Sequence, residues 1–142
     1  MKSIIFTAAI CICFNLTTSS AQEVNITALA GKWEYESPKK KSKVLYDFAL
    51  DNNFIATTER KEKEVIVKGT YQIDKKNELD RLKLSTPSES SQTITVLNVY
   101  LIKFSSIDTL KLQVVSEKED KWHPENRKNT MTLIRKKEKL KE

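Results

Sequence analysis

The sequence predicts an all-β protein, an eight-stranded antiparallel up-and-down β-barrel with a short N-terminal helical turn. Three observations lead there. From Gly31 onward, short runs rich in Val, Ile, Thr, Tyr and Phe alternate with clusters of Asn, Asp, Ser, Pro and Lys. Within most runs the apolar residues fall on every second position, which makes one face dry and the other wet. The links between runs are short, as antiparallel neighbours allow.

The elements follow in order. Asn25 is a good N-cap for a helical turn over Ile26 to Ala30, which would lay Ile26 and Leu29 against one end of the barrel. The first run is Gly31 to Glu36. The second, Lys43 to Leu50, puts Val44, Tyr46 and Phe48 on one face, and Asp51-Asn52 forms a hairpin-like link to Asn53 to Arg60, where Phe54, Ala56 and Thr58 share a face. Glu64 to Ile73 aligns Val65, Val67, Gly69, Tyr71 and Ile73 and leads into a polar turn at Asp74 to Asn77. Leu79 to Ser85 follows, with Pro87 assigned to a Ser-rich link.

The sixth run, Gln92 to Phe104, is apolar on both faces through Val96, Leu97, Val99, Tyr100, Leu101 and Ile102. That pattern predicts a covered outer face, a bulge or a subunit contact. After a turn at Ser105 to Asp108, Thr109 to Ser116 points Leu110, Leu112 and Val114 inward and Lys111 and Gln113 to solvent. The link Glu117 to Asn129, the longest, carries Trp122 as an exposed aromatic, and Thr130 to Lys136 closes the series. Eight such strands leave two edges unless the sheet closes on itself, so a barrel is favoured over a two-sheet sandwich.

A length of 142 residues suits one domain. Residues 1–21 read as a secretory signal: Lys2, then the apolar stretch Ile4 to Leu16, then small and polar residues up to Ala21. The domain is therefore 22–142, exported to the periplasm or secreted, with no transmembrane segment after signal cleavage. Both cysteines, Cys11 and Cys13, fall inside the leader, so no disulfide framework is expected. With Gly31 and Gly69 as the only glycines, no phosphate-cradling loop can be built. A single histidine, His123, leaves no Ser-His-Asp set, and no paired carboxylates sit on inward faces, so neither catalysis nor a metal or other cofactor is expected. The net charge of +6 comes from lysines mixed with Glu, as in Arg60-Lys61-Glu62-Lys63-Glu64, and nucleic acid is not an expected partner.

Gly31-Lys32-Trp33, opening the first strand after a helical turn, resembles the G-x-W motif of the lipocalins and the wider calycin group. In that family the tryptophan plugs one barrel end and an arginine near the end of the last strand packs across it; Arg135, in Leu133-Ile134-Arg135, stands at the matching place. Gly69-Thr70-Tyr71-Gln72-Ile73 and the run Ile102 to Leu112 are similar to strands of small bacterial lipocalin-like domains. Ser105-Ser106-Ile107-Asp108 stands where the family carries T-D-x-x-Y, which points to a reduced, bacterial-style member.

The resemblance implies an exported protein that binds a small hydrophobic or amphipathic ligand without acting on it. Tyr46, Phe48, Tyr71, Val96, Tyr100, Leu112, Val114 and Met131 are the candidate lining residues, with Trp33 and Arg135 as a structural barrel-end pair. The alternative is a filled barrel that works as a protein-interaction or envelope-associated module, with a protein partner at the Gln92 to Phe104 strand or the Glu117 to Asn129 loop. An open interior would favour the first, a filled one the second.

Overall fold

The computed structural model describes residues 22–39, 42–60, 63–88, 91–118 and 121–137, with side chains for all but 88 and 91–97. The expected signal segment 1–21 lies outside them. A four-residue helix, α1 (Ile26–Leu29), precedes eight strands: β1 (Gly31–Glu36), β2 (Lys43–Phe48), β3 (Asn53–Arg60), β4 (Lys63–Lys76), β5 (Leu79–Ser88), β6 (Ser91–Ser106), β7 (Thr109–Val115) and β8 (Thr130–Arg135). Each strand pairs antiparallel with the next, and β8 returns to β1 through Trp33 opposite Arg135 and Glu34 opposite Ile134, closing the barrel.

Asn25 caps α1 by accepting from the Ala28 amide at 2.8 Å. Leu29 is buried, whereas Ile26, expected to pack beside it, is exposed; so short a helix turns only one face to the barrel. Odd-numbered strands run away from the α1 end toward the opposite mouth, and even-numbered strands run back. The inward residues form one core that joins Leu29, Trp33, Phe48, Phe54, Tyr71, Leu82, Leu84, Tyr100, Ile102, Phe104, Leu110, Leu112 and Leu133.

Two turns refine the sequence reading. β4 continues through Asp74 to Lys76, and the chain reverses at Asn77-Glu78, whose φ values of 49° and 62° are left-handed. Two left-handed residues between Lys76 and Leu79 make the hairpin turn that matches strand twist. Asn tolerates that conformation and Glu does not. Glu78→Gly is therefore expected to raise stability by about 0.5–1 kcal/mol in urea denaturation; a loss of stability would contradict the strain. Pro87, assigned to a link, instead belongs to β5 opposite Ile94, beside a register shift at Ser88. Proline at a strand's irregular end costs no regular ladder bond.

The two-sided apolarity of β6 has two causes. The register slips between Leu84 and Ser85, which face Asn98 and Val96, so Leu97 is an extra residue. Val99 and Leu101 lie on the outer face, yet both are buried. The segment 121–126 covers this face. Gln113, expected in solvent, is only 1% exposed: its amide donates to the His123 carbonyl at 2.9 Å and to Thr130 Oγ1 at 3.0 Å, and its oxygen accepts from the His123 amide at 2.9 Å. Both polar ends of the side chain are thus satisfied, which is what lets it be buried. Trp122, also expected to be exposed, is partly buried with Lys103 Nζ 4.2 Å from its ring centroid.

Candidate ligand-binding site

One end of the barrel is sealed. Trp33 is fully buried, its Nε1 donates to the Leu29 carbonyl at 2.7 Å, and its ring meets Phe104 at 5.9 Å. Arg135 lies over the indole with Cζ 4.1 Å from the centroid. Its Nη2 donates to Ala28 O at 2.7 Å, its Nη1 to Ala30 O at 2.9 Å and its Nε to Ile107 O at 3.3 Å. The fork thereby ties the end of α1 and the β6–β7 turn to the indole. Gly31 makes room for it: with φ at 116° its backbone is one that side chains rarely adopt, and a Cβ there would sit 3.1 Å from Arg135 Nη1.

Arg135→Ala is expected to cost about 2–3 kcal/mol, from the cation–π contact and the orphaned carbonyls. Arg135→Lys should recover less than half of this, because an ammonium cannot fork. Equal urea midpoints for the wild type and Arg135→Ala would contradict the pairing.

Above the plug the interior is filled. Phe48 sits at the centre, meeting Tyr46 in a stack at 5.8 Å, Phe54 at 6.2 Å and Tyr71 edge-on at 5.1 Å. Tyr71 donates its hydroxyl to Ala49 O at 2.7 Å, so its polar end is spent on the chain. Leu112 is buried between Ile102 and Met131. Of the expected lining residues, Phe48, Tyr71 and Leu112 are core. Val96 is opposite Ser85, and its side chain falls outside the described ones.

The remaining four, Tyr46, Tyr100, Val114 and Met131, belong to the upper part of the barrel, with Tyr100 at the top of the buried core. Tyr46 on β2 and Tyr100 on β6 stand on opposite walls, four strands apart in a ring of eight, and their side chains hydrogen-bond each other. Burial pushes both phenols above their ordinary range, Tyr100 with help from the neighbouring Tyr46, so both stay neutral hydrogen-bonding groups. This bridge is a floor across the lumen. On the mouth side of it, inward positions are incompletely covered: Val44, Ala56, Val67 and Met131 are partly buried, and Val114, opposite Tyr100, is 61% exposed. These inward apolar residues, together with the two tyrosines, outline the open end of the barrel, the mouth cup.

No protein-family model, curated protein or solved structure matches this chain. The assignment of the cup therefore stands on the barrel's own geometry.

The described residues of the 117–129 link, read from the sequence as carrying an exposed aromatic, pack along the outer face of the barrel wall. Lys76 donates to the carbonyls of Glu117 at 3.1 Å and Lys118 at 3.2 Å. Further along, Glu125 bridges Lys103, at 2.6 Å, and Lys111. Hydrogen bonds and charge from these two lysines hold Glu125 down at about 2. A lowered carboxylate contributes stability above its ordinary value and loses it as pH falls toward the folded one. Acid titration is therefore expected to release the segment between about pH 4.5 and 2, read as a red shift of Trp122 emission. Glu125→Gln should already be shifted at neutral pH, and a wild-type emission that stays flat down to pH 2 would contradict the tether.

A concavity also lies in the wall. Among the described residues β4 pairs with β5 only from Thr70 onward, opposite Ser85, and the two strands part beyond that point. A cleft of about 400 Å³ opens there, lined by Phe54, Ile55, Lys68, Gly69, Thr86 and Pro87 among others. Among the described residues there is no cluster of three or more metal-ligating side chains, and no helix is long and apolar enough to cross a membrane.

Proposed function

We propose that the protein is an exported, non-catalytic, lipocalin-like carrier that takes a small hydrophobic or amphipathic molecule into the mouth cup, above the Tyr46–Tyr100 bridge. The observation that carries this reading is the exposure of Val114, an apolar side chain on the barrel's inner face, over a floor of paired tyrosine hydroxyls. Lipocalin-like character is supported by the closed eight-stranded ring and by the Trp33–Arg135 plug at one end. The packed interior by itself favours the filled-barrel alternative, so the ligand reading rests on the open end alone, as a shallow site. A ligand would gain roughly 25 cal/mol for each Å² of apolar surface it buries, and the hydroxyls would orient a polar end.

The test is native mass spectrometry of the purified protein, followed by titration with 1-anilinonaphthalene-8-sulfonate as the apolar probe. Saturable 1:1 binding is expected, weakened about tenfold or more by Val114→Asp, which places a charge in the cup without touching the core. Absence of saturable binding, or binding indifferent to Val114→Asp and Ala56→Phe, would overturn the reading in favour of a filled barrel working through its outer surface.

A further inference from the structure

The parting of β4 from β5 leaves one side of the first half of β4 without a described strand partner. Among the described residues, the strand from Lys63 to Gly69 is paired with β3 alone. Such an edge presents unpaired backbone donors and acceptors in the geometry that another strand requires. Natural edges are usually blunted by proline, by charge or by brevity; this one carries Val65, Ile66 and Val67 in a row. Val65 on the inner face is 55% exposed and Ile66 on the outer face 54%. The three-residue run is apolar and exposed on both faces, like part of a central strand that lacks its neighbour, while Glu64 and Lys68 flank Ile66 on the outer face.

The sequence of this edge says which neighbour fits. Antiparallel pairing of the segment with an identical one, with the two-fold axis at Ile66, sets Ile66 against Ile66, Val65 against Val67 and Glu64 against Lys68. All of these pairs keep to one face, since partners differ by an even number of positions. Each dimer would gain two Glu64–Lys68 pairs, related by symmetry. Within a single chain Glu64 instead faces Glu59 directly across β3, and Lys68 faces Ile55, so neither charge has an opposite charge across the strand. Like charges directly opposite are unfavourable, and the copy's Lys68 would relieve that contact.

We propose that the protein forms a two-fold homodimer by edge-to-edge addition of β4 to β4, centred on Ile66 and selected by the reciprocal Glu64–Lys68 pairs. The contact is isologous and closes on itself, so it caps the exposed edges without propagating a fibre. Val67 borders both the mouth and this seam, and sedimentation without added ligand reads the dimer alone.

Sedimentation velocity of the purified protein between about 1 and 100 μM tests it, with circular dichroism to show that each variant is folded. The wild type is expected to dimerise reversibly. Lys68→Glu alone or Glu64→Lys alone should each weaken dimerisation by about tenfold or more, because two attractions become repulsions. Mixing the two single variants should restore association, since each then meets the opposite charge, and the double variant Glu64→Lys/Lys68→Glu should dimerise like the wild type. Recovery on mixing together with a double variant that dimerises like the wild type is the pattern that reciprocal Glu64–Lys68 contacts predict. A wild type that stays monomeric at 100 μM would overturn the proposal, as would a dimer whose affinity ignores the charge swaps.

Discussion

Trp33→Ala is expected to lower the unfolding free energy by about 3–5 kcal/mol, the range for deleting a fully buried aromatic from a packed core. The side chain is completely buried, it holds the Leu29 carbonyl through Nε1, and it is the surface on which Arg135 lies. Its removal leaves a cavity between Phe104 and α1 and takes away half of the cation–π pair. A double-mutant cycle with Arg135→Ala should show a coupling of about 1 kcal/mol or more, since neither partner keeps its contact without the other. Urea denaturation checks both numbers; additive losses would mean that the two residues stabilise the fold separately.

Gly69→Ala should cost about 3 kcal/mol, a large effect for one methyl group and near the top of what overpacking produces. A Cβ at this position would lie 2.0 Å from the Ser85 carbonyl oxygen, and 2.9 Å from both Phe54 Cε1 and Thr86 Cγ2. The side chains can yield, but the carbonyl belongs to β5 just where it leaves β4, so relief requires the two strands to separate further. The expected signature is a loss of stability together with increased amide exchange at Thr70 and Tyr71, the first residues of the β4–β5 ladder. A cost below about 1 kcal/mol would show that the crossing is looser than the geometry implies.

Most of the fold was legible because strand alternation is a direct readout of a half-buried sheet. Val44, Tyr46 and Phe48 on β2 and Leu110 and Leu112 on β7 fall on the inner face as their spacing requires. The barrel-end pair was legible through the resemblance, and the structure sets Trp33 and Arg135 directly opposite each other. What alternation does not encode is whether inward side chains fill the space they share. Phe48, Tyr71 and Leu112 read equally well as pocket wall or as core, and only their mutual packing decides for core.

Three features were hidden for related reasons. Gln113 reads as a solvated residue because its burial depends on the backbone of His123, ten positions away, supplying both a donor and an acceptor. Trp122 sits in a polar link, and nothing local reports that Lys103 and Glu125 fold that link back over β6 and β7. The side of β4 that lacks a partner among the described residues is hard to read from alternation, since pairing with β3 alone produces the same alternation as pairing on both sides. Its mark was the consecutive Val65-Ile66-Val67, which the period-two reading of β4 passed over.

The central claim is that the mouth cup, and not the packed interior or the wall cleft, receives an apolar ligand. The most direct measurement is methyl NMR of the purified protein titrated with 1-anilinonaphthalene-8-sulfonate. Saturable shifts are expected for the methyl groups of Val44, Val67, Val114 and Met131, with Leu82, Leu110 and Leu133 in the core unmoved. Shifts confined to Ile55 and Thr86 in the wall cleft, or no saturable shift at any methyl group, would contradict it.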